Sequence, residues 1–316
     1  MKIVVTGACG FIGSNLIPYL LNKGNIEVIG IDNLINPSIN PTDRMKANCN
    51  PGAWEKFSFW NADIRDLQNI HSIFINSKPH AVIHLAALGS ITRSWNQPGL
   101  VTDINERGFI NILQASSSVG VERISFASSS SVYGPTDKNI KWEGQQLFPA
   151  SPYALTKVNN ERFADLWCGN MGLEWFALRF FNVYGPGQRH DSDYSAVIPK
   201  FLTGDKIKIN GDGLTIRDFT YVNDVCKAIW RSLITKAKNE VLNIGSGYGT
   251  NLNRLAELCN YGQNKEIEYL DHRPGDTKIS IADTTKADEI LDLKDKTTIE
   301  MGIEITREYY KSLKEK

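Results

Sequence analysis

The chain has 316 residues, of which 41% are hydrophobic and 22% charged, so it can bury a sizeable core and is neither disordered nor fibrous. Lys and Arg together number 35, as do Asp and Glu, and the resulting net charge of zero excludes a global field that attracts nucleic acid or acidic membranes. The five cysteines lack the spacing of a disulfide framework or zinc site, and no apolar run resembles a signal segment or a spanning helix. We therefore expect a cytoplasmic protein without nucleic-acid, membrane or metal ligands.

Short β-branched segments alternate with helical patterns through the first half of the chain. Candidate strands lie at 2–6, 26–32, 57–63, 80–86 and 123–129. A helical stretch at about 152–171 is followed by one more apolar strand within LEWFALRFFNVYG. This alternation predicts βαβ units and a doubly wound parallel sheet, which is an α/β Rossmann fold.

From about residue 181, Gly and Pro residues interrupt the chain repeatedly and the regular alternation of strands and helices ends. This pattern predicts a smaller, mixed second lobe. The segment EVLNIGSG at 240–247 has the character of a strand that returns to the main sheet. We assign 1–180, with a returning segment at about 218–248, to the first lobe, and 181–217 and 249–316 to the second. Helices near 99–118 and 152–170 carry apolar surface that suits either a dimer interface or packing against the sheet.

A glycine-rich turn, Gly7-Ala8-Cys9-Gly10-Phe11-Ile12-Gly13, follows the first strand and opens a helix. Glycine lets the backbone turn tightly and approach a pyrophosphate, whose charge the free N–H groups and the helix dipole stabilise. Asp32 ends the second strand, where a carboxylate can accept both adenosine ribose hydroxyls and repel a 2′-phosphate. The pattern predicts NAD rather than NADP at the carboxyl edge of the sheet.

Tyr153 and Lys157 are spaced i and i+4, which places a phenol and an ammonium on one helix face. A nearby positive charge favours the phenolate, so we expect Lys157 to lower the pKa of Tyr153 and allow it to act as a general base. Alone, such a pair also fits an ordinary surface contact. The hydroxyls at 128–131 directly continue the fifth strand, and together with the glycine turn they favour an active site over a polar turn.

The segments GACGFIG, ASSSSVYG and YALTK stand in the order shown by the extended short-chain dehydrogenase/reductases, and the chain resembles their NAD-dependent sugar-nucleotide epimerase/dehydratase group. The resemblance implies that the first lobe binds NAD and the second a UDP-sugar, with Tyr153 as base, Lys157 orienting the nicotinamide ribose and Ser129 as catalytic hydroxyl. The implied NAD-binding residues are Gly7, Gly10, Phe11, Ile12, Gly13, Asp32, Asn33, Asp63, Ile64, Leu85, Ala86, Ala87, Asn105, Tyr153, Lys157 and Val183. The implied substrate-binding residues are Gly89, Ser90, Ser129, Ser130, Ser131, Tyr153, Asn182, Gln188, Ala196, Val197, Arg217, Arg273 and Ser280, with the two arginines on the diphosphate.

Within that group, 4,6-dehydratases carry an Asp-Glu pair where this chain has Ser130 and Ser131, so the resemblance favours epimerisation at carbon 4 through a transient 4-keto sugar. The segment at 87–94 resembles bacterial UDP-N-acetylglucosamine 4-epimerases. Ser280 stands where glucose-restricted epimerases carry a bulky tyrosine, which leaves room for an N-acetyl group without excluding glucose. We expect a homodimeric isomerase that interconverts UDP-N-acetylglucosamine and UDP-N-acetylgalactosamine. A UDP-glucuronate 4-epimerase is the alternative, since Arg93 and the serines suit a carboxylate; a 4,6-dehydratase and a non-catalytic NAD-binding regulator are less favoured.

Overall fold

The computed structural model describes residues 1–191, 196–271 and 278–314. In chain order, the strands within these ranges are β1 (Lys2–Thr6), β2 (Glu27–Asp32), β3 (Phe57–Asn61), β4 (Ala81–His84), β5 (Arg123–Ser129), β6 (Ile140–Lys141), β7 (Glu174–Phe180), β8 (Val183–Tyr184), β9 (Ile207–Asn210), β10 (Ile216–Asp218), β11 (Thr220–Tyr221), β12 (Glu240–Ile244), β13 (Gly249–Asn251), β14 (Ile267–Leu270) and β15 (Ile279–Ala282). The helices are α1 (Phe11–Leu21), α2 (Pro41–Ala47), α3 (Leu67–Ser77), α4 (Ile91–Asn96), α5 (Pro98–Thr102), α6 (Gly108–Ser118), α7 (Pro152–Met171), α8 (Val197–Thr203), α9 (Val222–Ile234), α10 (Leu252–Asn260), α11 (Thr285–Leu291) and α12 (Ile299–Lys314).

Seven strands form the main sheet in the order β12-β7-β5-β4-β1-β2-β3, and all neighbours are parallel. Side chains alternate across β1, so Ile3 and Val5 pack with α1 and α9, while Val4 packs with α3, α6 and α7. Because helices cover both faces, the central strands are continuous apolar runs instead of alternating ones. This layered arrangement confirms the predicted doubly wound α/β fold.

The five strands expected in the first part of the chain are present, and their ends lie within two residues of the expected bounds. β12, within the segment 240–247, pairs in parallel with β7 at one edge of the main sheet. β3 is an edge strand whose Phe59 and Trp60 are 40% and 43% exposed, so it is not a fully covered strand. The helix expected near 99–118 is interrupted, since a π-helical turn at Asp103–Arg107 separates α5 from α6.

The remaining strands form a four-stranded sheet, β13-β10-β15-β6, and two small pairs, β8 with β11 and β9 with β14. The four-stranded sheet draws β6 from the first half of the chain, because β6 pairs in parallel with β15. All five cysteines are free thiols. Within the described ranges, no helix combines the length and the apolar character needed to cross a bilayer.

Candidate active site

A cavity of about 450 Å³ opens at the carboxyl edge of the main sheet. The residues that follow β1, β2, β4, β5 and β7 line it, together with the first turns of α1 and α7. In an open parallel sheet this edge is where ligands bind, because loops from neighbouring strands diverge there and leave a crevice.

The glycine turn forms one end of the cavity by close backbone contact. Gly7 has a φ of +70°, and a Cβ at this residue would lie 2.7 Å from the backbone nitrogen of Ala86. A Cβ at Gly13 would lie 2.2 Å from the Gly7 carbonyl oxygen. The N–H groups in the first turn of α1 have no acceptor inside the helix, so they and the helix dipole suit a pyrophosphate.

Asp32 lies beside that turn at the end of β2. Its Oδ2 accepts the Cys9 N–H at 2.9 Å and its Oδ1 accepts the Leu34 N–H at 2.8 Å. Burial raises the pKa of Asp32, while the backbone hydrogen bonds act in the opposite direction. A carboxylate offers about four acceptor positions, so capacity remains for ribose hydroxyls. The steric cradle of the glycines and this carboxylate together fit the pyrophosphate and adenosine ribose of NAD.

Tyr153 and Lys157 enter the cavity from the first turns of α7. The start of this helix is fixed by Ser151, whose side chain accepts the Ala154 N–H at 3.1 Å, and by Pro152 at the first helical position. Lys157 Nζ donates to the Ala127 carbonyl at 2.8 Å and lies 5.9 Å from the centre of the Tyr153 ring. Helix and strand thus hold the phenol and the ammonium on one wall.

The ionisation of this pair differs from the sequence-based expectation. Burial raises the pKa of Tyr153, and the hydrogen bond with Ser129 acts against that rise. The expected lowering by Lys157 is therefore not what the protein alone shows. Burial lowers the pKa of Lys157 to about 8, against the opposing charge of Glu161. Desolvation outweighs charge pairing because both groups lie against the sheet.

A buried polar network lies behind the serines and was missed by the sequence analysis. Glu161 accepts a hydrogen bond from Ser128 and two from Arg179, at 2.9 and 2.7 Å. Arg179 also donates to the Tyr133 hydroxyl at 2.9 Å, which in turn donates to Asn243 at 2.6 Å. The signal was available, because Glu161 continues the i, i+4 series of Tyr153 and Lys157 along one face of α7.

Most of the predicted NAD-binding residues line the cavity. Those present are Gly7, Gly10, Phe11, Ile12, Gly13, Asp32, Asn33, Ile64, Leu85, Ala86, Ala87, Tyr153, Lys157 and Val183. Two are not among the lining residues: Asp63 is held by Arg65 and Asn33, and Asn105 hydrogen-bonds both backbone groups of Leu88.

The predicted substrate-binding residues are split between the cavity and its surroundings. Gly89, Ser129, Ser130, Tyr153, Asn182 and Gln188 line the cavity. Ser90 caps α4, Ser131 bonds Ser129, and Ala196 and Val197 begin α8, all outside the lining. Arg217 and Ser280 are paired neighbours on β10 and β15, and Arg273 lies outside the described residues.

Several lining residues were not predicted, although their positions follow a simple rule. They are Ile31, Ile35, Asn36, Ala62, Leu88, Ile104, Ala127, Ser128, Phe180 and Phe181. Most of them end a main-sheet strand or follow it directly, so the strand-end rule applied to every strand would have found them.

Comparison with known proteins agrees with this fold and identifies the family. The model of the NAD dependent epimerase/dehydratase family matches residues 3–245. A UDP-glucuronate 4-epimerase of Thermodesulfobacterium geofontis is 33% identical over 306 residues, which cover 96% of this chain and 94% of that protein.

Two solved structures are similar over almost the whole chain. The UDP-glucose 4-epimerase of Thermotoga maritima, with UDP-glucose, has a TM-score of 0.90 and 34% identity, and covers 99% of both chains. The UDP-N-acetylglucosamine 4-epimerase of Methanobrevibacter ruminantium, in complex with UDP-N-acetylmuramic acid, has a TM-score of 0.90 and 33% identity over 99% of this chain and 98% of the other. The protein is therefore a Rossmann-type enzyme with NAD as its cofactor. It belongs to the NAD dependent epimerase/dehydratase family.

Proposed function

We propose that the protein is a UDP-sugar 4-epimerase that interconverts UDP-N-acetylglucosamine and UDP-N-acetylgalactosamine. The observation that carries the reaction type is the chemistry around Ser129. Among the described residues that line the cavity, Asp32 is the only carboxylic acid, and it lies at the opposite end from Tyr153. Epimerisation needs one base and a hydroxyl at the reacting carbon, whereas elimination of water needs a further acid and base there.

In the proposed mechanism, Tyr153 removes the proton from the sugar 4-hydroxyl and later returns it. Ser129 lines the cavity with Tyr153, and its hydroxyl acts against the rise of the Tyr153 pKa on burial, which favours the base form of the phenol. Lys157 presents its ammonium where the nicotinamide ribose would lie, and its bond to Ala127 fixes its direction. When bound, NAD supplies reversible oxidation and reduction at the sugar carbon.

The choice of sugar rests on the small sheet of the second lobe. Ser280 pairs with Arg217 across β15 and β10, so a diphosphate held by Arg217 brings the sugar near a small side chain. The space left by the small Ser280 side chain supports an N-acetylhexosamine as substrate and also admits UDP-glucose. The similarity to an N-acetylglucosamine epimerase supports the same choice.

UDP-glucuronate is the second candidate because Ser130 lines the cavity next to Ser129 and offers a hydroxyl donor that suits a carboxylate. The deciding experiment incubates the purified protein and NAD separately with UDP-N-acetylglucosamine, UDP-glucose and UDP-glucuronate, and follows the sugar protons by NMR. We expect the galacto epimer of the first sugar to form. Turnover of glucuronate alone would overturn the substrate, 6-deoxy-4-keto signals would overturn the reaction, and no change in any sugar would overturn the function.

A matched variant sharpens the choice of sugar. Ser280→Tyr should reduce turnover of UDP-N-acetylglucosamine and spare UDP-glucose, because the ring fills the space needed by the N-acetyl group. Ser280→Ala keeps the space and serves as the control. Equal loss with both sugars would contradict the placement of the N-acetyl group near Ser280.

We also propose a homodimer that pairs through α7. Leu155 and Leu166 lie three turns apart on one face of this helix and are 48% and 72% exposed. Such exposed apolar side chains suit an isologous two-fold interface. Light scattering on the full chain should give the mass of a dimer, and Leu166→Glu should give a monomer; a wild-type monomer would contradict the proposal.

A further inference from the structure

Ser131 follows Ser129 by two residues and donates two hydrogen bonds to its hydroxyl oxygen. After β5 the chain turns into a short 3-10 segment at Ser130–Tyr133, with Ser129 in extended conformation just before it. The Ser131 N–H donates to Ser129 Oγ at 3.2 Å, and the Ser131 hydroxyl donates to the same oxygen at 2.9 Å. Ser131 itself does not belong to the cavity lining, whereas Ser129 does.

A hydroxyl has one proton to donate and two lone pairs to accept with. Both acceptor positions of Ser129 Oγ are filled by Ser131, so the Ser129 proton must point elsewhere. Tyr153 lines the same cavity as Ser129, and the Ser129 hydroxyl lowers the pKa of its phenol against the rise caused by burial. With both lone pairs engaged by Ser131, the Ser129 hydroxyl can act towards Tyr153 only as a hydrogen-bond donor.

We propose that Ser131 is a positioning residue that fixes the Ser129 hydroxyl as the hydrogen-bond donor to the Tyr153 oxygen, an inference that rests on the proposed role of Tyr153 as the base. Ser131 acts through Ser129 and contacts no substrate, which differs from the sugar contact implied by the resemblance. A hydrogen bond donated by Ser129 stabilises the phenolate of Tyr153. A hydroxyl whose oxygen accepts hydrogen bonds, as that of Ser129 does, is itself a stronger donor.

The charged and titratable groups on the Tyr153 and Lys157 side of the cavity come from two elements. Lys157 and Glu161 lie on α7, and His84, which is hydrogen-bonded to Thr6 at 2.8 Å, ends β4. Asp32 ends β2 at the opposite end of the cavity. The structure shows Ser131 bonded to Ser129 and to none of these groups. A change at Ser131 therefore alters the donor to the phenol and leaves these charges in place.

The test reads the ionisation of Tyr153 directly. The full chain, labelled with tyrosine carrying ¹³C at Cζ and saturated with NAD, is titrated by NMR, and Tyr153→Phe assigns the resonance. In Ser131→Ala the pKa of Tyr153 should rise by about 0.5 relative to wild type, because the phenolate loses an oriented donor. Ser131→Thr keeps the hydroxyl and should restore the wild-type titration. Ser116→Ala, which removes a hydroxyl bonded within α6, is the control for loss of any buried serine.

Kinetics give a second and independent reading. In Ser131→Ala the acid limb of the kcat profile should move to higher pH by the same amount, with KM for the UDP-sugar unchanged and activity recovering at high pH. An unchanged Tyr153 titration would overturn the proposal, and so would a raised KM with an unchanged pH profile, since that result would place Ser131 on the sugar. A shifted titration in a protein that turns over no UDP-sugar would uphold the positioning role and defeat the proposed function. If Ser131→Ala does not fold, Ser131→Cys, which retains a weak donor, should show a smaller shift in the same direction.

Discussion

The two ends of the cavity are built by different forces. At the glycine turn the shape comes from backbone packed on backbone, and a methyl group at Gly13 would lie 2.2 Å from the Gly7 oxygen. At the catalytic end the shape comes from side chains in a buried network, in which Glu161 and Arg179 are 6% and 4% exposed. Adding an atom should therefore disrupt the structure of the glycine-turn end. Removing a polar atom should disrupt the structure of the catalytic end.

The largest effect should follow removal of a single oxygen at the catalytic end. Tyr153→Phe should lower kcat by about 10²- to 10⁴-fold, the range for loss of a general base. NAD binding, measured by calorimetry, should be retained because the glycine turn is untouched. Tyr19→Phe, on α1 beside Lys23, is the matched control and should retain full turnover. Full turnover of the Tyr153 variant would remove the phenol from the mechanism.

Glu161→Gln tests the network that supports this end. The change leaves Arg179 without a carboxylate in a buried site, so the free energy of unfolding should fall by about 3–5 kcal/mol. Glu257→Gln is the control, because its ion pair with Arg254 on α10 is half-exposed and should contribute less than about 1 kcal/mol. Urea denaturation measures both, and similar small losses would show that the network is not needed for stability.

Gly13→Ala tests the other end by adding one methyl group. The backbone of the turn must move to admit it, which should cost about 1–3 kcal/mol of stability and weaken NAD binding. Gly169→Ala places the same methyl in α7 with no atom within 4 Å, and should stabilise the protein by about 0.4–1 kcal/mol. Unchanged NAD affinity in Gly13→Ala would show that the close contact can relax.

The glycine end was predictable from sequence because its causes are local. The turn joins β1 to α1 over a few residues, and parallel strands bring Gly7, Asp32 and Ala86 to one edge whatever the rest of the chain does. The Tyr153 and Lys157 pair was equally accessible, since one helix turn sets its spacing.

The remaining features depend on tertiary packing that no short pattern contains. Glu161 meets Arg179 only because α7 crosses β7, and the direction of the Tyr153 pKa depends on how deeply both are buried. Arg217 and Ser280 were identified by resemblance, yet they pair on the small sheet and lie outside the cavity lining. Spacing along the chain predicts a neighbour one turn away and says little about burial.

A substitution at Asp63 should have the smallest effect and discriminates best between the two ends. Asp63 is a polar side chain at the glycine-turn end, whose shape comes from packed backbone. The Arg65 guanidinium donates two hydrogen bonds to it, at 2.9 and 2.7 Å, the Arg65 backbone N–H donates a third at 2.9 Å, and Asn33 adds a fourth at 3.0 Å. These contacts hold the pKa of Asp63 well below its usual range. A depressed carboxyl pKa contributes stability that is present above the unfolded-state value of about 3.9 and is lost as the pH falls towards the folded-state value.

Asp63→Asn should therefore lower the free energy of unfolding by about 1 kcal/mol at pH 7, because the pair is partly exposed, and the difference from wild type should shrink below about pH 4. Urea denaturation at pH 7, 5 and 3.5 gives the comparison, with the exposed Asp137→Asn as a control that should track wild type at each pH. If the loss in free energy of unfolding stays constant across this pH range, Asp63 stabilises the protein through its shape and not through its charge. A loss of 3 kcal/mol or more at pH 7, the size expected for a buried pair, would show that the nucleotide end also depends on its polar side chains.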